Sequence, residues 1–201
     1  HQLLGKTIDS INMKCHDLRY HIDTYRRAQQ LDEHAAFFDE VEQEIQRYEY
    51  TFHTGNAALD SVLSEKSLYC SANHILLTTM LDVSLLAPIE KSDIYSIFGN
   101  ALDNAIESTD KITDPERRLI HLSVARQKGF AAIRIENCFD GELKFEKGLP
   151  VTTKKDVLYH GFGVKSIQNA AAKYGGTATI TTREGWFELR VLIPLGQPQQ
   201  E

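Results

Sequence analysis

Asn100 and Asn104 stand four residues apart on one face of a helical pattern running from about Ser92 to Ile112, with Glu107 following three residues later. The opposite face is an apolar stripe of Ile94, Ile97, Phe98, Ala101, Leu102, Ala105 and Ile106. Such a helix must lay its stripe on a core, and Pro115 stops it just past its end. Packing does not ask for paired amides on the other side. An amide oxygen suits Mg²⁺, a hard cation that keeps several waters and takes few protein ligands. A solvated polar face would give the same pattern.

A second element bears on that choice. His160-Gly161-Phe162-Gly163-Val164-Lys165-Ser166-Ile167 opens another helical pattern, which continues through Ala170, Ala171 and Ala172 to Tyr174. Gly175-Gly176 then reads as a left-handed C-terminal cap. Glycines at a helix start let backbone N–H groups approach a phosphate, and the helix dipole favours its charge. Two loop glycines are also simply a turn. Here they follow a polar segment, Asp140 to Tyr159, whose Thr152-Thr153-Lys154-Lys155 has the composition of a mobile cover over an anion.

The rest of the chain divides by period. Leu4, Ile8, Ile11, Cys15, Leu18, Ile22 and Tyr25 form a heptad seam, and Phe38, Val41, Ile45, Tyr48 and Phe52 form a second one beyond Asp32-Glu33-His34. Two such helices joined by a short turn predict an antiparallel hairpin over residues 1–56. Two copies pairing as a four-helix bundle would bury both stripes. Docking of the hairpin onto its own chain would also do so. After Gly55-Asn56 we expect a helix from about Ala57 to Ser71 and a strand over Ile75 to Met80. Beyond the asparagine helix, Leu119 to Arg126 and Ala131 to Asn137 alternate as strands around Gln127-Lys128-Gly129. Thr177 to Thr182 and Trp186 to Ile193 do the same around Arg183-Glu184-Gly185. The expected class is α+β: a helical hairpin, then an α/β sandwich over 57–195. The Gln/Pro-rich 196–201 reads as a disordered tail.

Bulk properties remove several functions. The 201 residues are 42% hydrophobic and 25% charged, with a net charge of −6, which argues against a nucleic-acid groove. No apolar run approaches the ~20 residues that span a bilayer. Three cysteines, Cys15, Cys70 and Cys138, are odd in number and far apart, which suits free thiols in a reducing compartment. Eight histidines show no metal-ligand spacing.

The two helix motifs together resemble the N box and second glycine box of the GHKL superfamily, which includes gyrase, Hsp90 and the sensor histidine kinases. The order of elements is similar too: asparagine helix, two strands, lid, glycine box, helix and terminal hairpin. Thr54-Gly55-Asn56, Leu59-Asp60, Leu63 and Lys66 resemble the series that precedes the N box in Agr-type quorum-sensing kinases. His16-Asp17-Leu18-Arg19-Tyr20-His21 resembles the phosphoacceptor box of the same group. The likeness covers about His1 to Pro194.

That resemblance implies a chemistry. ATP and Mg²⁺ would bind in the sandwich, with Asn104 as the metal ligand and Asn100 contacting phosphate or metal-bound water. Gly161 and Gly163 would sit at the phosphates, and Lys165 or Lys154 would neutralise charge. Gyrase-type ATPases carry a glutamate at the position of Asn100; an amide is no general base, so slow hydrolysis is expected. The γ-phosphoryl would pass to His16, with Asp17 orienting the imidazole, and from there to a response regulator receiver domain. The resemblance implies a homodimer through 1–56, in the cytoplasmic portion of a protein anchored by an N-terminal membrane sensor. Two departures stand out. The first glycine box, Asp-x-Gly-x-Gly, is missing after Ile133 to Glu136; Asn137 stands where its adenine-binding aspartate would be, and its amide could offer the base either its oxygen or its nitrogen. Tyr20 stands where many kinases with phosphatase activity carry Asn or Thr. A GHKL scaffold that binds nucleotide and dimerises without transferring phosphate is the alternative.

Overall fold

Helix α1 (Ala57–Ala72) begins where its sequence dictates. Asn56 is extended, and its side-chain oxygen accepts from the Leu59 N–H at 3.1 Å. Asp60 Oδ1 accepts from both the N–H and the hydroxyl of Thr54, each at 2.7 Å, across a Gly55 with φ of +90°. The Thr-Gly-Asn…Asp series is thus a hydrogen-bonded entry to the helix. The computed structural model describes residues 51–140, 144–146, 149–151 and 157–196. Residues 1–50 of the expected hairpin, with His16 and Asp17, lie outside the described residues. So do Thr152 to Lys155 of the expected lid and the tail from residue 197.

Strand β1 (Leu76–Leu81) follows, then a single 3₁₀ turn (Val83–Leu86). The asparagine-bearing helix comes next, in three pieces. These are α2 (Lys91–Ile94), a π turn (Tyr95–Gly99) and α3 (Asn100–Thr109). Its stripe is buried as expected: Ile94, Ile97, Phe98, Ala101, Leu102 and Ala105 are each 2% exposed or less. The helix stops at Thr109, short of Ile112. The Arg118 guanidinium satisfies the carbonyls left there, reaching Ile112 O at 2.9 Å and Thr109 O at 3.3 Å, and it also takes Asn73 O behind α1 at 2.9 Å.

Strands β2 (Leu119–Gln127) and β3 (Phe130–Cys138) form a hairpin around Lys128 and Gly129, both at positive φ, the conformation of a two-residue turn that matches strand twist. A separate two-stranded ribbon, β4 (Lys144–Glu146) with β5 (Leu149–Val151), occupies part of the segment read as a cover. Helix α4 (Val157–Lys173) follows, and β6 (Thr177–Arg183) pairs with β7 (Trp186–Pro194) around Glu184-Gly185. The five-stranded sheet has the order β1-β2-β3-β7-β6, parallel only between β1 and β2.

Alternation decides which face of the sheet is covered. Ile120, Leu122 and Val124 of β2, Ile133 and Ile135 of β3, and Leu189, Val191 and Ile193 of β7 are buried beneath the helices. Helix α3 packs on β2 and β3, α4 on β6 and β7, and α1 against β1. Helices on one face of a mostly antiparallel sheet make an α+β sandwich. No helix among the described residues is long and apolar enough to cross a membrane.

Candidate functional site

The free side of α3 meets α4 at Gly163. A Cβ added there would lie 3.4 Å from Asn100 Oδ1 and 3.8 Å from Asn104 Nδ2. Sequence-distant residues of the asparagine helix and the glycine segment therefore face one another. Asn100 and Asn104 are both half-buried. The amide of Asn100 has a fixed orientation, because its Nδ2 donates to Ser96 O at 2.6 Å and leaves Oδ1 turned towards Gly163. The π turn contributes to that arrangement. The Asn100 backbone N–H bonds Ile97 O, and the side-chain amide reaches Ser96 O instead.

Other expected residues are placed differently. Helix α4 begins at Val157, three residues before His160, so Gly161 and Gly163 fall inside its hydrogen-bonded ladder. Gly163 makes a close approach to α3, where the expectation was free N–H groups at a helix start. Lys165 is exposed and, two residues after Gly163, lies on the other side of α4.

Asn137 is fully buried on the helix-facing side of β3, in line with Ile133 and Ile135. Its Nδ2 donates to Cys138 O at 2.7 Å, and its Oδ1 has no partner among the described residues. An unsatisfied buried acceptor costs about 1–3 kcal/mol, which a water or a ligand that supplies a donor would recover. The sequence left either end of this amide free to face a base. The bond to Cys138 O uses one N–H of that nitrogen and orients the amide, so that its oxygen is the end without a partner among the described residues.

The donor set also tests whether a cation fits. Among the described residues no cluster of three or more His, Cys, Asp or Glu side chains could hold a metal ion. A cation beside α3 would therefore take one or two amide oxygens and complete its shell with water and phosphate. That is how Mg²⁺ is held at phosphate sites, and Asn100, with its Oδ1 towards Gly163, fits it; Asn104 turns its Nδ2 there and would offer its oxygen only after the amide rotates.

Several residues that frame the site were missed. Ser96 and Ser166 hydrogen-bond through their hydroxyls at 2.7 Å, between the π turn and α4. Asp93, 3% exposed, accepts from Lys173 Nζ and Tyr174 OH, each at 2.7 Å, and the Tyr174 oxygen accepts from the Glu90 N–H at 2.8 Å. Burial raises the Asp93 carboxyl pKa, but the bonds from Lys173 and Tyr174 outweigh it and hold the group below its ordinary value. The first turn of the asparagine helix is thereby fastened to the last turn of α4. The available signal was spacing, since Ser96 stands four before Asn100 and Ser166 three after Gly163.

A profile of the GHKL domain matches residues 89–194, which is 106 of the 201 and runs from the turn before α2 to the end of β7. The chain belongs to the GHKL family. No curated protein matches it. Among solved structures, this GHKL domain is similar to the nucleotide-free catalytic domain of histidine kinase ThkA, with a TM-score of 0.53 and 19% identity over 69% of this chain and 91% of that one. The histidine kinase AdeS of Acinetobacter baumannii matches at TM-score 0.50 and 14% identity, over 98% of both chains. Full-length ShkA in complex with AMPPNP matches at TM-score 0.50 and 12% identity, over 96% of this chain and 45% of that one. At such identities the likeness is one of fold.

Proposed function

We propose that the chain is the ATP-binding and phosphoryl-transfer core of a sensor histidine kinase of the Agr-like group. The observation that carries this reading is the approach of Gly163 to Asn100 and Asn104, amides beside a space with no side chain to fill it. In this reading the Asn137 oxygen accepts from the adenine amine, and the lack of a side chain at Gly163 leaves room for phosphates against α3. Asn104 would hold Mg²⁺ and Asn100 would contact phosphate or metal-bound water; the metal when bound neutralises phosphate charge and aligns the γ-phosphoryl. The Asn100 amide takes no proton near neutral pH. Water is therefore not activated there, and ATP persists until a better nucleophile arrives.

That nucleophile is His16, whose neutral ring nitrogen attacks the γ-phosphorus as the bond to the β–γ bridging oxygen breaks and ADP leaves, while Asp17 orients the ring and assists loss of its proton. Residues 1–56 pair with a second copy as a four-helix bundle, and a response regulator receiver domain takes the phosphoryl group from His16. The natural setting is the cytoplasmic portion of a protein whose sensor region crosses the membrane.

The test is incubation with γ-labelled ATP, followed by acid and by base. A label that is acid-labile and base-stable is phosphohistidine. His16→Gln should abolish it while ATP still binds, and Asn104→Ala should lose Mg²⁺-dependent binding. ATP binding without any label would refute the kinase reading in favour of a non-catalytic scaffold. Calorimetry with ATP and GTP tests Asn137: Asn137→Ala should weaken ATP roughly fivefold to a hundredfold, the value of one buried hydrogen bond.

A further inference from the structure

A closed ring of contacts joins α3 to α4. Asn100 Nδ2 donates to Ser96 O at 2.6 Å, and Ser96 Oγ shares a 2.7 Å hydrogen bond with Ser166 Oγ. Ser166 lies on the same face of α4 as Gly163, one turn on. Gly163 closes the ring, since a Cβ there would meet Asn100 Oδ1 at 3.4 Å. Neither serine is needed to complete the backbone ladder of its own helix through its side chain. Both are half-buried, and each spends its hydroxyl on the other.

We propose that Ser96 and Ser166 are positioning residues that set the stance of the Asn100 amide oxygen towards a Mg²⁺-bound nucleotide. The physical link is the planarity of the amide. Nδ2 and Oδ1 share one carbon, so fixing the nitrogen on Ser96 O fixes the direction of the oxygen. The π turn presents the Ser96 carbonyl to that nitrogen, and the hydroxyl pair holds this turn against α4. Loss of the pair frees Ser96 to shift, and Asn100 swings with it. The inference rests on the reading of this cleft as an Mg²⁺-nucleotide site.

The test is calorimetric ATP binding to the full chain at a series of free Mg²⁺ concentrations. Ser166→Ala should raise the Mg²⁺ needed for half-maximal binding by about three- to tenfold, the value of one neutral hydrogen bond. Binding at saturating Mg²⁺ should stay within about twofold of the unmodified chain, since the remaining contacts are untouched. Ser96→Ala breaks the same bond from the other side and should repeat the pattern. Ser166→Thr keeps the hydroxyl and should restore the Mg²⁺ dependence. An unchanged Mg²⁺ requirement in both alanine variants overturns the proposal, as does an equal loss at every Mg²⁺ concentration, which would mark the pair as ordinary helix packing. ATP binding by the unmodified chain that ignores Mg²⁺ overturns it too, while leaving the nucleotide reading standing. No ATP binding by the unmodified chain at any Mg²⁺ concentration removes the proposed function itself.

Discussion

Gly163→Ala should make the protein more stable and a poorer binder of nucleotide. The added Cβ would lie 3.4 Å from Asn100 Oδ1, 3.7 Å from Asn100 Cβ and 3.8 Å from Asn104 Nδ2, all ordinary van der Waals distances. Nothing in the fold has to move. Gly163 lies inside α4, where exchanging glycine for alanine removes backbone freedom from the unfolded chain and is worth about 0.5–1 kcal/mol. For a chain of this size, 1 kcal/mol moves Tm by about 2–4 °C. The same methyl caps the exposed side of the Asn100 oxygen. A donor or metal-bound water must come to about 2.7–3.0 Å of that oxygen, and a carbon at contact distance excludes it from part of the approach. Loss of one such contact weakens binding by about 1–3 kcal/mol, or roughly fivefold to a hundredfold. Differential scanning calorimetry and ATP titration read the two effects separately. A variant that is more stable and still binds ATP normally refutes the assignment of this space to a ligand. One that is less stable refutes the packing argument.

Gly176→Ala should behave in the opposite way, because a Cβ there would stand 2.5 Å from Leu192 O and 3.0 Å from Ala171 O, both backbone atoms. A loss of about 1–3 kcal/mol in denaturant unfolding is expected, and an unchanged midpoint would show that β7 yields easily. Asp93→Asn should cost about 2 kcal/mol, the value of hydrogen bonds to a charged group, read as a lower Tm at pH 7. Because the folded Asp93 pKa lies below the unfolded value of about 3.9, its contribution is complete above that value and lost as pH falls below it. The difference between wild type and Asp93→Asn should therefore shrink in acid, and a difference that grows below about pH 4 contradicts the sign. Lys173 is raised by its bond to Asp93, so its share persists at neutral pH and fades only as pH climbs past the ordinary lysine range. Cys70, its thiol pushed to about 11 by burial, and Cys138, also raised by burial, should resist alkylation at pH 8 until the domain unfolds; rapid native labelling of either would refute their burial.

How much of this was legible in the sequence follows from which signals are local. The two long hairpins could be read because alternation and a glycine turn lie within about twenty residues of chain, and Gln127↔Phe130 and Arg183↔Trp186 close where the turns predicted. The end of α4 was legible for the same reason. Gly175 at φ +67° with the Gly176 N–H on Ala171 O is the expected left-handed cap. The break in the asparagine helix was not legible. A π turn at Tyr95–Gly99 leaves the apolar stripe intact, and only a tertiary partner on α4 distinguishes Ser96 from any other helix serine. Asp93 was invisible likewise: its partners Lys173 and Tyr174 are some eighty residues away.

Asn137 shows the same limit at the level of single atoms. From composition alone an amide at a strand end offers a donor and an acceptor, and a base pocket built on it should discriminate poorly between an amine and a carbonyl. The neighbouring residue removes that ambiguity. With Nδ2 bonded to Cys138 O at 2.7 Å, rotating the amide would set its oxygen against another carbonyl oxygen and leave the nitrogen without an acceptor. The side chain is fully buried, opposite Ile120 of β2, with its oxygen unpartnered among the described residues. The oxygen is an oriented acceptor, as a carboxylate's would be, but without the charge and without the cost of burying it, and the second N–H of Nδ2 stays beside it as a donor. Under the proposed function, discrimination against guanine should then approach what an aspartate gives, and Asn137→Asp should change the ratio of ATP to GTP affinity little. A large sharpening on that substitution would mean that the amide turns over in solution and that the bond to Cys138 is too weak to hold it.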